Sequence, residues 1–145
     1  MTGDQNTLLL EEIYKGAKMG QQAIDFILQK NDNKSFANQL SDQYRGYMKI
    51  ATQAHQSLLA EGSTPKDANL MKKGMLWGSV QANTLIDAST QKLAEIMING
   101  STMGVIEMTK KLGDNADASP TTKSLCKNFI QQEEQNIDAL KSYLS

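Results

Sequence analysis

Apolar residues recur every three or four positions along most of the chain, and polar, turn-forming stretches interrupt this pattern at three places. These stretches are NDNKS at 31–35, STPKD at 63–67 and SPTTK at 119–123. In the last two, a proline follows Thr64 or Ser119, and Ser or Thr before proline is typical of a helix start. No alternating β-branched run competes with the helical period. The pattern predicts an all-α chain with helices over 4–30, 35–61, 65–112 and 120–144.

The third of these predicted helices is too long for a bundle. At 1.5 Å per residue it would extend about 70 Å, against about 40 Å for its neighbours. Asp87 and Ser89 belong to residue types that cap helices, so we expect a kink or a short break near 86–90. An extra helical segment at about 65–87 would then lie in or before helix three. Gly62 and Gly113 stand where a glycine commonly ends a helix.

Pairs of glycines four residues apart occur in three helical stretches, although each glycine costs a helix about 1 kcal/mol relative to alanine. The stretches are GAKMG at 16–20, GMLWG at 74–78 and GSTMG at 100–104. Because glycine has no side chain, it lets a facing helix approach closely. We therefore predict helix-packing contacts at all six positions: Gly16, Gly20, Gly74, Gly78, Gly100 and Gly104. Lysines and acids interrupt every apolar run, which excludes a membrane-spanning interpretation.

The first and third glycine pairs belong to an internal repeat. At a spacing of 84 residues, Leu9 matches Leu93 as well, and at a spacing of 85, Tyr44 matches Phe129. Helices one and two therefore resemble the end of helix three plus helix four. We predict two helical hairpins related by a pseudo-two-fold in a single up-down four-helix domain over 1–145.

Composition and charge exclude several classes of function. The net charge is -1 and neither sign is concentrated in a run, so nucleic acid is not an expected partner and membrane insertion is not expected. The first residues lack the features of a signal peptide, and a cytoplasmic location is the default prediction. With one cysteine, Cys126, and one histidine, His55, the chain forms no internal disulfide and no tetrahedral Cys/His zinc site. No catalytic nucleophile, base and orienting group occur at a recognisable spacing.

Helix four carries two polar residues on its apolar face. A helical wheel places Glu133 and Asn136 between Leu125, Phe129 and Leu140. A buried carboxylate must be hydrogen-bonded, protonated, paired or metal-bound, because leaving it bare costs several kcal/mol. If the chain folds back near residue 116, Glu133 lies level with Asn99 and Gly100, so the glycines and the acid would share one internal site.

A second polar pair is formed by flank residues of the first hairpin. Hairpin geometry sets His55 within about one turn of Glu12. An imidazole–carboxylate pair is one interpretation of this arrangement. A half-exposed histidine with no functional role is the simpler one.

A resemblance that covers nearly the whole chain is carried by four stretches: MG in helix one, YRGYMKIATQAHQSLLAEG in helix two, LAEIMINGSTMG in helix three and QQEEQNIDALKSYL at the end. They resemble a group of uncharacterised ferritin-like bundle proteins of spore-forming bacteria. The ferritin-like superfamily builds four-helix bundles, and its carboxylate members carry Glu-x-x-His motifs. The resemblance implies the fold and places Glu133-x-x-Asn136 where those members have Glu-x-x-His.

The departures from that family matter for activity. The helix-two positions matched to Glu133 and Asn136 are Met48 and Ala51, which do not bind iron. A di-iron centre needs about four carboxylates and two histidines, which this chain cannot supply. The resemblance therefore does not transfer oxidase or storage activity. Any metal would be a single, weakly held ion at Glu133 and Asn136, with Glu12 and His55 as the other candidates.

Two functions are compatible with these residues. The first is a non-enzymatic bundle, spore- or stress-associated, that works by homo-oligomerisation or by binding another helical protein. Its candidate surface is Met71, Met75 and Trp77, because methionine suits adaptable contacts. This function needs no cofactor. The alternative is a metal-binding or redox protein with a residual carboxylate site around Glu133.

Overall fold

The computed structural model describes residues 2–64 and 88–145, and within these two stretches it contains four α-helices and no strand. Helix α1 spans Thr2–Lys30, α2 Lys34–Ala60, α3 Thr90–Asp114 and α4 Pro120–Leu140, and a short 3-10 helix follows at Lys141–Leu144. The helices pack against one another, so the chain is an all-α four-helix bundle, as predicted. The predicted segment at 65–87 lies outside the described residues, and with it Gly74, Gly78, Met71, Met75 and Trp77.

Side-chain caps fix where the helices begin. Asn33 accepts a hydrogen bond from the amide of Phe36 at 2.9 Å, which starts α2. Ser119 accepts one from the Thr122 amide at 3.1 Å, with Pro120 in the first turn of α4. Ser89 caps α3 in the same way, because its hydroxyl accepts a hydrogen bond from the Lys92 amide at 3.2 Å. A new helix therefore begins at Thr90, within the region where a kink or break was expected.

One of the two predicted C-terminal glycines ends its helix and the other does not. After α2 the chain turns at Gly62 with φ +79°, and the Ser63 amide donates to the Leu58 carbonyl at 2.9 Å. This left-handed conformation favours glycine. The prediction for Gly113 was wrong, because α3 continues to Asp114 and Asn115 caps it.

Hydrogen bonds between distant residues establish which helix ends lie together. Asn6 near the start of α1 donates to Glu61 at the end of α2 and accepts from the Ser119 amide at the start of α4. At the opposite end of the bundle, Ser35 and Tyr143 share a hydrogen bond of 2.7 Å between their hydroxyls. The chain therefore leaves α2 at one end and enters α3 at the other.

These ends define the helix directions. Each hairpin is antiparallel, but α2 and α3 run in the same direction, so the order is up, down, down, up. The up-down order predicted for the four helices was therefore wrong, because α3 begins at the end of the bundle opposite to the one where α2 ends. Helix α1 packs against α2 and α3, and α4 packs against α3 and α2.

The internal repeat is visible in the pattern of burial. Buried residues of α1 and α3 recur 84 positions apart, as predicted. The buried pairs are Leu9 and Leu93, Leu10 and Ala94, Ile13 and Met97, Ala17 and Ser101, Ile24 and Met108. Helices α1 and α3 therefore present equivalent faces to the core.

In α2 and α4, however, the spacing is 86 rather than the predicted 85. The buried pairs are Phe36 and Thr122, Leu40 and Cys126, Gln43 and Phe129, Tyr47 and Glu133, Ile50 and Asn136, Ala54 and Leu140. The N-caps Asn33 and Ser119 are also 86 residues apart. Tyr44, which the 85-residue match used, is only partly buried. The counterparts of Glu133 and Asn136 are therefore Tyr47 and Ile50, not Met48 and Ala51.

The glycines differ in what they contact. A Cβ added to Gly16 would lie 2.9 Å from the Phe129 ring, and one on Gly20 would lie 2.7 Å from the Tyr47 ring. At Gly104 it would collide with the Glu133 carboxylate. At Gly100 it would meet nothing within 4 Å. The packing role predicted for Gly16, Gly20 and Gly104 is therefore supported by close contacts, whereas the one predicted for Gly100 was wrong.

Gly20→Ala and Gly100→Ala should change stability in opposite directions. At Gly20 the new methyl group presses on the ring of Tyr47, which is fully buried, and overpacking of this kind costs about 1–3 kcal/mol. At Gly100 the methyl group has free space, and the gain in helix propensity is up to about 1 kcal/mol. Urea unfolding followed by far-UV circular dichroism measures both. Equal changes in the two variants would contradict these contacts.

Candidate functional site

A polar cluster lies inside the bundle, centred on Glu133 of α4. Glu133 is 4% exposed and Asn136, one turn later, is 7% exposed. The inward orientation predicted for both residues is confirmed. Glu134, in contrast, faces solvent. The cluster is thus part of the core and not of the bundle surface.

Neutral donors surround the Glu133 carboxylate. Oε1 accepts a hydrogen bond from the hydroxyl of Tyr47 in α2 and a longer one, 3.4 Å, from the side-chain amide of Asn136. The Ser101 hydroxyl of α3 lies 3.4 Å from the Tyr47 hydroxyl and also hydrogen-bonds Glu133. Three helices therefore contribute to the solvation of one buried acid.

Tyr47 connects this cluster to the apolar core. Its ring packs edge-on against Phe129, with 6.1 Å between the ring centroids, and also lies against Gly20. Its hydroxyl thus reaches the middle of the bundle. One turn earlier on α2, the side-chain amide of Gln43 donates to the Asn136 carbonyl at 3.4 Å, which extends the polar contacts along α2 and α4.

Sequence reasoning missed Tyr47 and Ser101 as partners of Glu133. The helical period places Tyr47 on the inward face of α2, and a buried tyrosine usually needs a partner for its hydroxyl, which was the available signal. Ser101 is the α3 counterpart of Ala17, so a hydroxyl at that repeat position was a second signal.

The prediction of which α3 residues lie beside Glu133 was wrong by about one helical turn. Glu133 contacts Gly104 and Ser101, whereas Asn99 is exposed and Gly100 has open space beside it. The turn between α3 and α4 extends through residues 115–119, with α3 reaching Asp114, and this sets the pairing of the two helices. The glycine beside the acid is therefore Gly104.

Burial changes the proton affinities of this cluster. Desolvation raises the pKa of Glu133 from its ordinary value of 4.5 to about 7, although hydrogen bonds from Tyr47, Ser101 and Asn136 act in the opposite direction. Burial, with the nearby Glu133 charge, raises the pKa of Tyr47 well above 10. Tyr47 therefore remains a hydrogen-bond donor while Glu133 changes charge near neutral pH.

The metal candidates do not form one site. Glu12 pairs with Lys15 at 3.8 Å on the partly exposed face of α1, and His55 packs against the Tyr14 ring at 5.9 Å between centroids. Within residues 2–64 and 88–145, no three His, Cys, Asp or Glu side chains come together. At Glu133, the Asn136 amide nitrogen points toward the carboxylate and the Tyr47 hydroxyl occupies Oε1. This arrangement suits a proton or a hydrogen-bond donor, and it does not fit a bound metal ion.

Cys126 has the features of a core residue. It is fully buried, its thiol lies 3.5 Å from the Met108 carbonyl, and burial raises the thiol pKa to about 11. A thiol that is buried and protonated is a poor nucleophile. Cys126 therefore fills space between α3 and α4.

Searches of protein-family models, curated proteins and solved structures with this chain gave no match. The class of the molecule is therefore defined by its own fold and interior, an all-α four-helix bundle with a buried Glu–Tyr cluster. No described helix is both long and apolar enough to cross a membrane.

The pKa of Glu133 predicts a specific dependence of stability on pH. Below pH 4.5 the acid is protonated in both the folded and the unfolded chain. As the pH rises from 4.5 to about 7, the unfolded chain ionises while the folded chain holds its proton, so the free energy of unfolding falls by about 3 kcal/mol at most. Urea unfolding at a series of pH values measures this slope. Glu133→Gln should remove it, whereas Glu134→Gln, the exposed neighbour, should retain it; equal slopes in the two variants would contradict the assignment.

A double-mutant cycle tests the Tyr47–Glu133 hydrogen bond. Glu133→Leu alone leaves the buried Tyr47 hydroxyl without its carboxylate acceptor, which should cost about 1–3 kcal/mol. Tyr47→Phe alone removes a donor from a buried acid. The double variant removes both polar groups, so it should be more stable than the sum of the single effects predicts. Strict additivity, measured by chemical unfolding, would show that the two groups do not interact.

Proposed function

We propose that this protein is a non-enzymatic, ferritin-like bundle that works by association, pairing with a second copy of itself. The outer face of α3 carries the argument. Met103 and Ile106 lie three residues apart, hence on one face of that helix, and are 45% and 51% exposed. Methionine and isoleucine on one turn offer apolar area that a facing helix can cover.

The interior supports a surface function. The polar cluster is enclosed by core residues, and its central acid is bonded to protein donors. A substrate would have to displace these bonds to reach Glu133. The metal or redox alternative has no favourable observation, because Asn136 presents its amide nitrogen to the carboxylate. A cytoplasmic location and the ferritin-like relationship are part of this proposal.

Self-association is expected to depend on the α3 face. Light scattering coupled to gel filtration, at concentrations around the micromolar range, should give a dimer or larger species for the wild-type chain. Met103→Ser with Ile106→Ser should shift the protein toward monomer. Met48→Ser with Leu59→Ser on α2 is the matched control, because it removes two equally exposed apolar side chains elsewhere.

The results for the wild-type chain and the variants distinguish where the contact lies. A strictly monomeric wild-type chain would contradict self-association and leave a different helical protein as the partner. A shift to monomer with the α2 control alone would move the contact to α2. Trp77→Ser tests the surface that the sequence suggested with Met71 and Met75, and loss of dimer in that variant alone would place the contact there.

A further inference from the structure

The two hairpins of the bundle meet at an interface that contains the polar cluster. Contacts are most extensive within each hairpin, between α1 and α2 and between α3 and α4, and are less extensive between the hairpins. Tyr47 belongs to the first hairpin, whereas Glu133, Ser101 and Asn136 belong to the second. The Tyr47–Glu133 hydrogen bond therefore joins the two hairpins at the bundle's centre.

No cation compensates the acid at this interface, among the residues that the structure describes. Tyr47 faces Glu133 from α2, Ser101 and Gly104 face it from α3, and Asn136 lies beside it on α4. From α1, Gly20 lies against the Tyr47 ring. Tyr47 is the one other titratable group in this set. Throughout the described stretches, each ion pair joins residues three apart on a single helix or its end, so none reaches into the interior.

We propose that buried Glu133 is a proton-operated latch between the two hairpins: the hairpin interface is closed when Glu133 carries a proton, and it loosens when Glu133 loses that proton. The surrounding donors favour the carboxylate, but burial disfavours its charge more strongly, so the neutral acid is the form that the closed interior holds. An ionised Glu133, without a cation beside it, is stabilised by moving toward water. The weaker of the bundle's contacts, those between hairpins, yield first.

Proton linkage gives the direction and size of the effect. Glu133 has its ordinary pKa of 4.5 when the interface is open and about 7 when it is closed. The equilibrium constant for opening should therefore rise about 40-fold between pH 5 and 7, and level off above about pH 8. Tyr47 stays protonated over this range, because burial raises its pKa well above 10.

A buried thiol on the face of Tyr47 can report this opening. Ala54 is fully buried and lies seven residues after Tyr47, hence on the same face of α2. Ala54→Cys is combined with Cys126→Ala, so that the full chain carries a single thiol. The rate of alkylation by iodoacetamide is divided, at each pH, by the rate for an unstructured peptide of the same local sequence. This ratio measures opening, free of the titration of the thiol itself.

The expected ratio rises about 40-fold from pH 5 to 7 and is constant above about pH 8. With Glu133→Gln added, it should be independent of pH, whereas Glu134→Gln should leave the rise unchanged. A ratio that does not change with pH, or that rises equally in the Glu133→Gln background, would overturn the latch. So would a ratio equal to the global unfolding constant from urea titration at every pH, because opening would then be complete unfolding.

Tyr47→Phe provides a second test if Glu133→Gln fails to fold. The Tyr47 hydrogen bond lowers the pKa of Glu133, so its removal should extend the rise in the labelling ratio to higher pH. An unchanged upper limit, at about pH 8, would overturn the proposal. These measurements concern the hairpins of one chain, so their outcome is independent of whether the chain forms dimers.

Discussion

A single buried carboxylate constrains the middle of this bundle. Glu133 cannot lie in the core without partners, and its partners come from three helices: Tyr47 from α2, Ser101 from α3 and Asn136 from its own helix α4. Gly104 must lack a side chain because the carboxylate occupies that space, and Gly20 must lack one because the Tyr47 ring does. The positions of two glycines thus follow from the need to place one acid and one hydroxyl together.

The same cluster makes one part of the free energy of unfolding depend on pH, while the rest does not. Most of the buried residues are apolar and hold the helices together at any pH. Glu133 adds a contribution that depends on its protonation state, with a pKa near neutrality. Specificity is the benefit usually attributed to such buried polar groups, since a hydrogen-bonded pair fixes one register where apolar side chains tolerate several. Here the pair joins the two hairpins, so it fixes how one hairpin sits on the other.

Much of this arrangement could be predicted from the sequence. Helix starts at Ser89 and Ser119 depend on local chemistry, and the inward orientation of Glu133 and Asn136 follows from the helical period. The errors involve longer distances. The second repeat spacing was wrong by one residue because isolated leucine and aromatic matches do not distinguish adjacent registers, whereas burial of Tyr47 and Glu133 does. Gly100 was chosen over Gly104 because the length of the turn after α3 depends on where that helix ends, and Gly113 does not end it.

The reversed direction of the second hairpin has a consequence for how two such hairpins recognise each other. Since α1 and α3 run in opposite directions, the pseudo-two-fold is perpendicular to the bundle, and residues near it meet their own counterparts. Tyr47 and Glu133 are such counterparts, and so are Gly46 and Gln132, whose side-chain amide lies against that glycine. In a symmetric pair of second hairpins, Glu133 would face another Glu133, and two buried acids repel when ionised. Divergence at this one axial position therefore avoids placing two buried acids against each other.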